Sequence, residues 1–103
     1  MIIDLKPEQQ LEQLFGQYNK VLVDVYATWC GPCKMLAPQI EAFAKAHEDW
    51  TIVRVDCDQN QKVASMFNVQ AVPTMIIVVN KQVKETITGF RPLVEIEKIT
   101  SKY

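Results

Sequence analysis

An α/β domain built on a mostly parallel sheet is what the 103-residue chain predicts, on three observations. Short β-branched runs alternate with amphipathic segments of helical period, the pattern of βαβ units. Two strand-like runs follow one another near the C-terminus, which adds an antiparallel hairpin at one edge. Hydrophobic residues make up 49% of the chain and charged residues 22%, enough apolar material for a packed core without disulfide staples.

The expected order is βαβαβαββα. Ile2 to Leu5 is a short apolar strand. From Pro7, the residues Leu11, Leu14, Phe15 and Tyr18 recur at helical spacing, with the proline in the first turn. Val21 to Ala27 is nearly continuous and β-branched, a strand buried on both faces. A helix opens at Cys30, with Leu36, Ile40, Phe43 and Ala44 on one face and Pro38 as an expected kink. Thr51 to Asp56 reads as a strand. Asn60 caps a short helix to about Phe67, with Val63, Met66 and Phe67 turned inward. Thr74 to Val79 and Val83 to Thr88 form the hairpin. Its Asn80-Lys81 connection lacks the glycine that a two-residue turn prefers, so a longer or strained turn is expected. Pro92 starts a last helix that buries Leu93, Ile96 and Ile99.

No repeat, low-complexity tract or Gly/Ser linker interrupts the sequence, so residues 1–103 read as a single domain. The formal net charge is -1 with the signs interspersed, which argues against nucleic acid as a partner. The longest apolar runs are far too short to span a bilayer. No secretory signal is visible at Met1, so a cytoplasmic location is the expectation.

Three cysteines in a chain with an ample core point to redox or metal chemistry more than to structural disulfides. Cys30 and Cys33 lie three apart, where a buried strand hands over to a helix. Unpaired N–H groups and the positive end of the helix dipole stabilise a thiolate there, which makes Cys30 a nucleophile. Cys33, one turn further in, is expected to be the more buried thiol. Gly31 lets the turn close without a Cβ clash, and Pro32 fixes φ where no N–H is needed. A zinc site completed by Cys57 and His47 is a rival reading, weakened because those two residues are ten apart on different elements. A soft-metal carrier is a second rival, weakened by the element count. On the residues alone the motif supports either redox or metal chemistry.

The segment Ala27-Thr28-Trp29-Cys30-Gly31-Pro32-Cys33-Lys34-Met35 resembles the active-site signature of the thioredoxin family. The resemblance extends over nearly the whole chain, through Val23-Asp24, Ala37-Pro38, Val72-Pro73-Thr74 and Gly89. It implies the thioredoxin fold, a five-stranded mixed sheet of order 1-3-2-4-5 flanked by four helices. It also implies a protein disulfide reductase, a monomeric electron carrier in cell redox homeostasis working through a reversible Cys30–Cys33 couple. No bound cofactor or metal is implied. NADPH recharges the couple through a flavoprotein, thioredoxin reductase, and the substrates are disulfide-containing proteins of the ribonucleotide reductase, peroxiredoxin or methionine sulfoxide reductase types. Some members of the family also serve as binding subunits of a partner.

The resemblance carries roles onto single residues. Cys30 is the nucleophile and Cys33 the resolving thiol. Asp24, a carboxylate amid Val21, Leu22, Val23 and Val25, has its pKa raised by desolvation and exchanges a proton with Cys33; the alternative is a strand-edge pair with Lys20 or Arg54. Arg54 stands where many bacterial members have lysine, and would lower the pKa of Asp24 if it points there. Pro73 is expected to follow a cis peptide bond. Trp29, Ala71, Val72, Gly89 and Phe90 form a docking face together with Gly31 and Pro32, with Ala71 in place of a common glycine and the Val72 backbone pairing with an extended substrate. His47 lies late in a helix with no catalytic role. Cys57 packs as a small hydrophobe, and Met35 and Met66 read as core filler.

Overall fold

The computed structural model describes residues 1–7 and 9–103. Nine elements follow in the expected order: β1 (Ile2–Asp4), α1 (Leu11–Gln17), β2 (Lys20–Tyr26), α2 (Gly31–Ala46), β3 (Thr51–Asp56), α3 (Gln61–Met66), β4 (Thr74–Val79), β5 (Gln82–Thr88) and α4 (Leu93–Thr100). The five strands form one sheet of order β1-β3-β2-β4-β5. β1, β3 and β2 are mutually parallel, whereas β4 runs antiparallel to its neighbours β2 and β5.

Alternation along the strands sorts the core into two layers. Val21, Val23 and Val25 of β2 join Val53, Val55, Ile76 and Val78 under α1 and α3. Leu22 joins Ile52, Met75 and Ile77 under α2 and α4, where Leu36, Ile40, Phe43 and Ile96 meet them. Burying side chains of this size stabilises the fold by about 1.5–3 kcal/mol each. The same alternation sends Asp24 and Tyr26 to the α2 face along with Leu22.

β2 lies at the centre of the sheet, between β3 and β4. Its end is level with Asp56 at the end of β3 and with Thr74 at the start of the antiparallel β4. The carboxyl end of β2, the loop after β3 and the loop before β4 therefore converge at one end of the sheet. In open α/β sheets the carboxyl ends of the strands are where sites form.

Several expectations change. α1 begins at Leu11, and Pro7 sits in a turn ahead of it. Nothing apolar lies between Pro7 and Leu11 in the sequence, so no packing draws the helix back that far. Asn60 occupies the N-cap position of α3 without a side-chain cap; its Nδ2 donates to the Asp56 carbonyl instead. Met66 and Met35 are exposed, not core. Of the two outcomes expected for the hairpin turn, the strained one holds: it stays at two residues, with φ of 51° at Asn80 and 70° at Lys81. Pro38 lies inside α2 as expected, and the helix continues past it to Ala46. His47 is its C-cap, stacked on Phe43 and 2.7 Å from Glu97 Oε2 of α4. Among the described residues, no helix is long and apolar enough to cross a membrane.

Candidate active site

Cys30 and Cys33 are joined in a disulfide, with their Cα atoms 5.3 Å apart. Cys30 is the N-cap of α2 in extended conformation, and Pro32 occupies the first turn, where a missing N–H leaves nothing unpaired. The Cys33 backbone N–H donates to Cys30 Sγ at 3.2 Å. A donor aimed at this sulfur from a helix N-terminus favours negative charge on it once the disulfide is open.

The expected difference in burial between the two thiols is absent. Cys30 is 5% exposed and Cys33 7%. What separates them is their surroundings. The Val72 carbonyl oxygen lies 3.7 Å from Cys30 Sγ, so Cys30 faces the loop before β4. Cys33 lines a cavity of about 250 Å³ on the opposite flank, together with Tyr26, Lys34 and Arg54. Gly31 also departs from expectation, because a Cβ there would meet nothing within 4 Å. Packing within the chain does not demand glycine at that position.

On the Cys30 flank the Val72–Pro73 peptide bond is cis. Trp29, Cys57, Ala64, Val69, Ala71 and Val72 help to line an open, mostly apolar depression of about 300 Å³. Trp29 is 69% exposed, yet its Nε1 donates to Asp58 Oδ2 at 2.9 Å, which fixes the ring at the mouth of the groove. Ala71 is held by Thr74, whose hydroxyl donates to the Ala71 carbonyl at 2.6 Å. Gly89, at φ 97°, donates its N–H to the Pro73 carbonyl at 2.8 Å and so braces the proline loop. Phe90 does not join the groove; it is half-buried against the layer under α2 and α4. Cys57 is half-buried beside Ala27, Cys30 and Cys33, and burial pushes its thiol pKa up. That environment disfavours a reactive thiolate at Cys57.

Asp24 is 3% exposed on β2. Burial raises its pKa to about 6, against the opposing pull of Arg54. Arg54 does point at it, with Nε 4.0 Å from Asp24 Oδ2. Lys20, the other suggested partner, pairs with Asp49 instead. Sequence reasoning missed Asp58 and Tyr26. Tyr26 lies two residues beyond Asp24 on the same strand face, a signal that alternation offers; nothing local in the sequence marks Asp58.

The family model for thioredoxin matches residues 2–102. The chain belongs to the thioredoxin family. It is 39% identical over 90 residues to the thioredoxin of Mycoplasmoides gallisepticum, covering 87% of this chain and 90% of that protein. It is 42% identical over 84 residues to the thioredoxin of Listeria monocytogenes, covering 81% and 82% respectively. The structure of a mutant thioredoxin from Halobacterium salinarum superposes with a TM-score of 0.91 at 29% identity, over 99% of this chain and 89% of that one. The chain is accordingly a thiol–disulfide oxidoreductase whose redox-active group is the Cys30–Cys33 pair. Membership of the family implies disulfide-containing substrates and a reductase partner.

Proposed function

We propose that the protein is a protein disulfide reductase in which Cys30 attacks, Cys33 resolves and Asp24 carries the proton. The Cys30 thiolate attacks one sulfur of a substrate disulfide; that bond breaks, a mixed disulfide forms and one substrate thiolate leaves. Cys33 passes its proton to the Asp24 carboxylate, and its thiolate then attacks Cys30 Sγ. The mixed disulfide breaks, the second substrate thiolate leaves, and the Cys30–Cys33 disulfide closes with two electrons transferred. NADPH restores the dithiol through a flavoprotein reductase, and the protein needs no prosthetic group of its own.

The observation that carries the assignment of roles is the Cys33 N–H pointing at Cys30 Sγ from the start of α2. It favours charge on Cys30 and leaves Cys33 as the thiol that needs a base. A pKa of about 6 suits Asp24 to that task, because the group is ionised at neutral pH yet close enough to it to hold a proton. Substrate docks along Trp29, Ala71 and Val72, and the backbone of Val72 offers pairing to an extended segment. Gly31, Pro32, Pro73 and Gly89 shape that surface, and Arg54 tunes Asp24. We assign the activity to the cytoplasm and to residues 1–103 acting as one domain. The substrates are proteins that form a disulfide in turnover, of the ribonucleotide reductase, peroxiredoxin and methionine sulfoxide reductase types.

Dithiothreitol-driven reduction of insulin tests the assignment. Cys30→Ser is expected to abolish it, and activity retained in that variant would overturn the mechanism.

A further inference from the structure

Three groups compete for the charge of Arg54. Its Nε stands 4.0 Å from Asp24 Oδ2, its Nη1 stands 3.9 Å from Asp4 Oδ1, and its guanidinium carbon lies 4.9 Å from the centre of the Tyr26 ring. Neither carboxylate distance is a hydrogen bond. Arg54 Nε and Asp24 Oδ1 are both buried, and neither has a hydrogen-bond partner among the described residues. Asp24 and Arg54 are directly paired across β2 and β3. An arginine and a carboxylate at such positions gain most by closing into a two-pronged pair, and this one stays open.

We propose that Tyr26 is a positioning residue: its ring holds the Arg54 guanidinium stacked and back from Asp24, so the carboxyl feels the charge but stays free to take up and release a proton. A cation over an aromatic face is held by the electron-rich ring, and with no hydrogen bond made to either carboxylate the ring competes for the guanidinium. Asp4 on β1 pairs with Arg54 from the other side of β3 and draws the outer edge of the guanidinium away from Asp24. Other ionisable groups nearby are Asp56 on β3, and Cys33 and Lys34 at the start of α2; β4 opposes Asp24 with Met75. Tyr26, Arg54 and Cys33 line one cavity, so the ring, the cation and the resolving sulfur share a common space. A closed Arg54–Asp24 pair would leave a carboxylate too stable to accept a proton from Cys33.

The consequence for catalysis rests on Asp24 being the proton carrier, but the positioning is a statement about three side chains and is tested without turnover. Carbon-13 NMR of the Asp24 carboxyl in the oxidised 103-residue protein reads its titration midpoint directly. Tyr26→Phe, which keeps the stack, is expected to leave the midpoint in place. Tyr26→Leu frees Arg54 to close on Asp24 and is expected to lower the midpoint by about one pH unit, tenfold in the acid dissociation constant. In an Arg54→Leu background the same substitution should have no effect. Tyr26→Met serves in its place if Tyr26→Leu does not fold. A midpoint that stays or rises on removing the ring, or an equal shift in both backgrounds, overturns the proposal. Failure of the proton-carrier reading would appear elsewhere, as unchanged mixed-disulfide resolution in Asp24→Asn, and would leave the titration result standing.

Discussion

Asp58 Oδ2 accepts a hydrogen bond from Trp29 Nε1 at 2.9 Å, so a carboxylate on the loop after β3 holds the most exposed aromatic ring of the redox site. The two residues come from loops that follow different strands, and Trp29 lines the groove beside the disulfide. Asp58→Ala is expected to free the ring and weaken docking by about 1 kcal/mol, a roughly fivefold rise in KM. The kcat should change little. Steady-state insulin reduction separates the two constants, and an unchanged KM would remove Trp29 from docking.

The buried carboxyl of Asp24 makes stability depend on pH. Its pKa is raised from 3.8 to about 6 in the folded protein, so between those values the folded form holds a proton that the unfolded form has lost. Stability therefore falls as pH rises through this window, and by pH 7 the full cost is present. Asp24→Asn is expected to stabilise the oxidised protein by about 2 kcal/mol more at pH 7 than at pH 4, where the unfolded carboxyl is already more than half ionised. Urea titrations at the two pH values measure this; equal gains at both would mean that the carboxyl is not held protonated by burial.

Cys33→Ser leaves the attacking thiol without its resolving partner. A stable mixed disulfide with a substrate protein should accumulate at Cys30, visible as the summed mass under non-reducing conditions. Accumulation through Cys57 instead would reassign the nucleophile.

Lys81 holds φ of 70° without being glycine, and Asn80 holds 51° beside it. Lys81→Gly gives the turn the residue that its geometry favours and is expected to stabilise by about 1 kcal/mol. In a domain of this size that corresponds to a rise of about 4–8 °C in melting temperature. Disulfide reduction should be unaffected, since the turn lies outside the groove. Calorimetry decides it, and a lower melting temperature would show that Lys81 earns its place by contacts.

β3 and β4 begin and end where the β-branched runs place them, because burial on both faces leaves such segments no other use. The thiol pair was legible for a similar reason: its spacing and its strand-to-helix position are local. Helix starts were less so. α1 depends on where packing begins at Leu11, which neither Pro7 nor helical period reveals alone. The surroundings of Asp24 were only half legible. Alternation puts it on a buried face, but the choice between Lys20 and Arg54 as its neighbour depends on the β2–β3 register, which sets Arg54 opposite it. The Trp29–Asp58 bond and the Tyr26 stack join side chains whose meeting depends on rotamers, and rotamers are set by packing in three dimensions.

The sheet has two free edges, and both are poor templates for another chain. β1 is only three residues long, and β5 carries Lys84 and Glu85 beside a break in register at Ile77/Val78. Short, charged or bulged edges resist edge-to-edge aggregation. For a molecule whose substrates are disulfide-containing proteins this matters, because it meets other chains as part of its work. With both sides of the sheet guarded, the end that carries the Cys30–Cys33 pair is where another protein can be joined, by a reversible bond and not by a growing assembly.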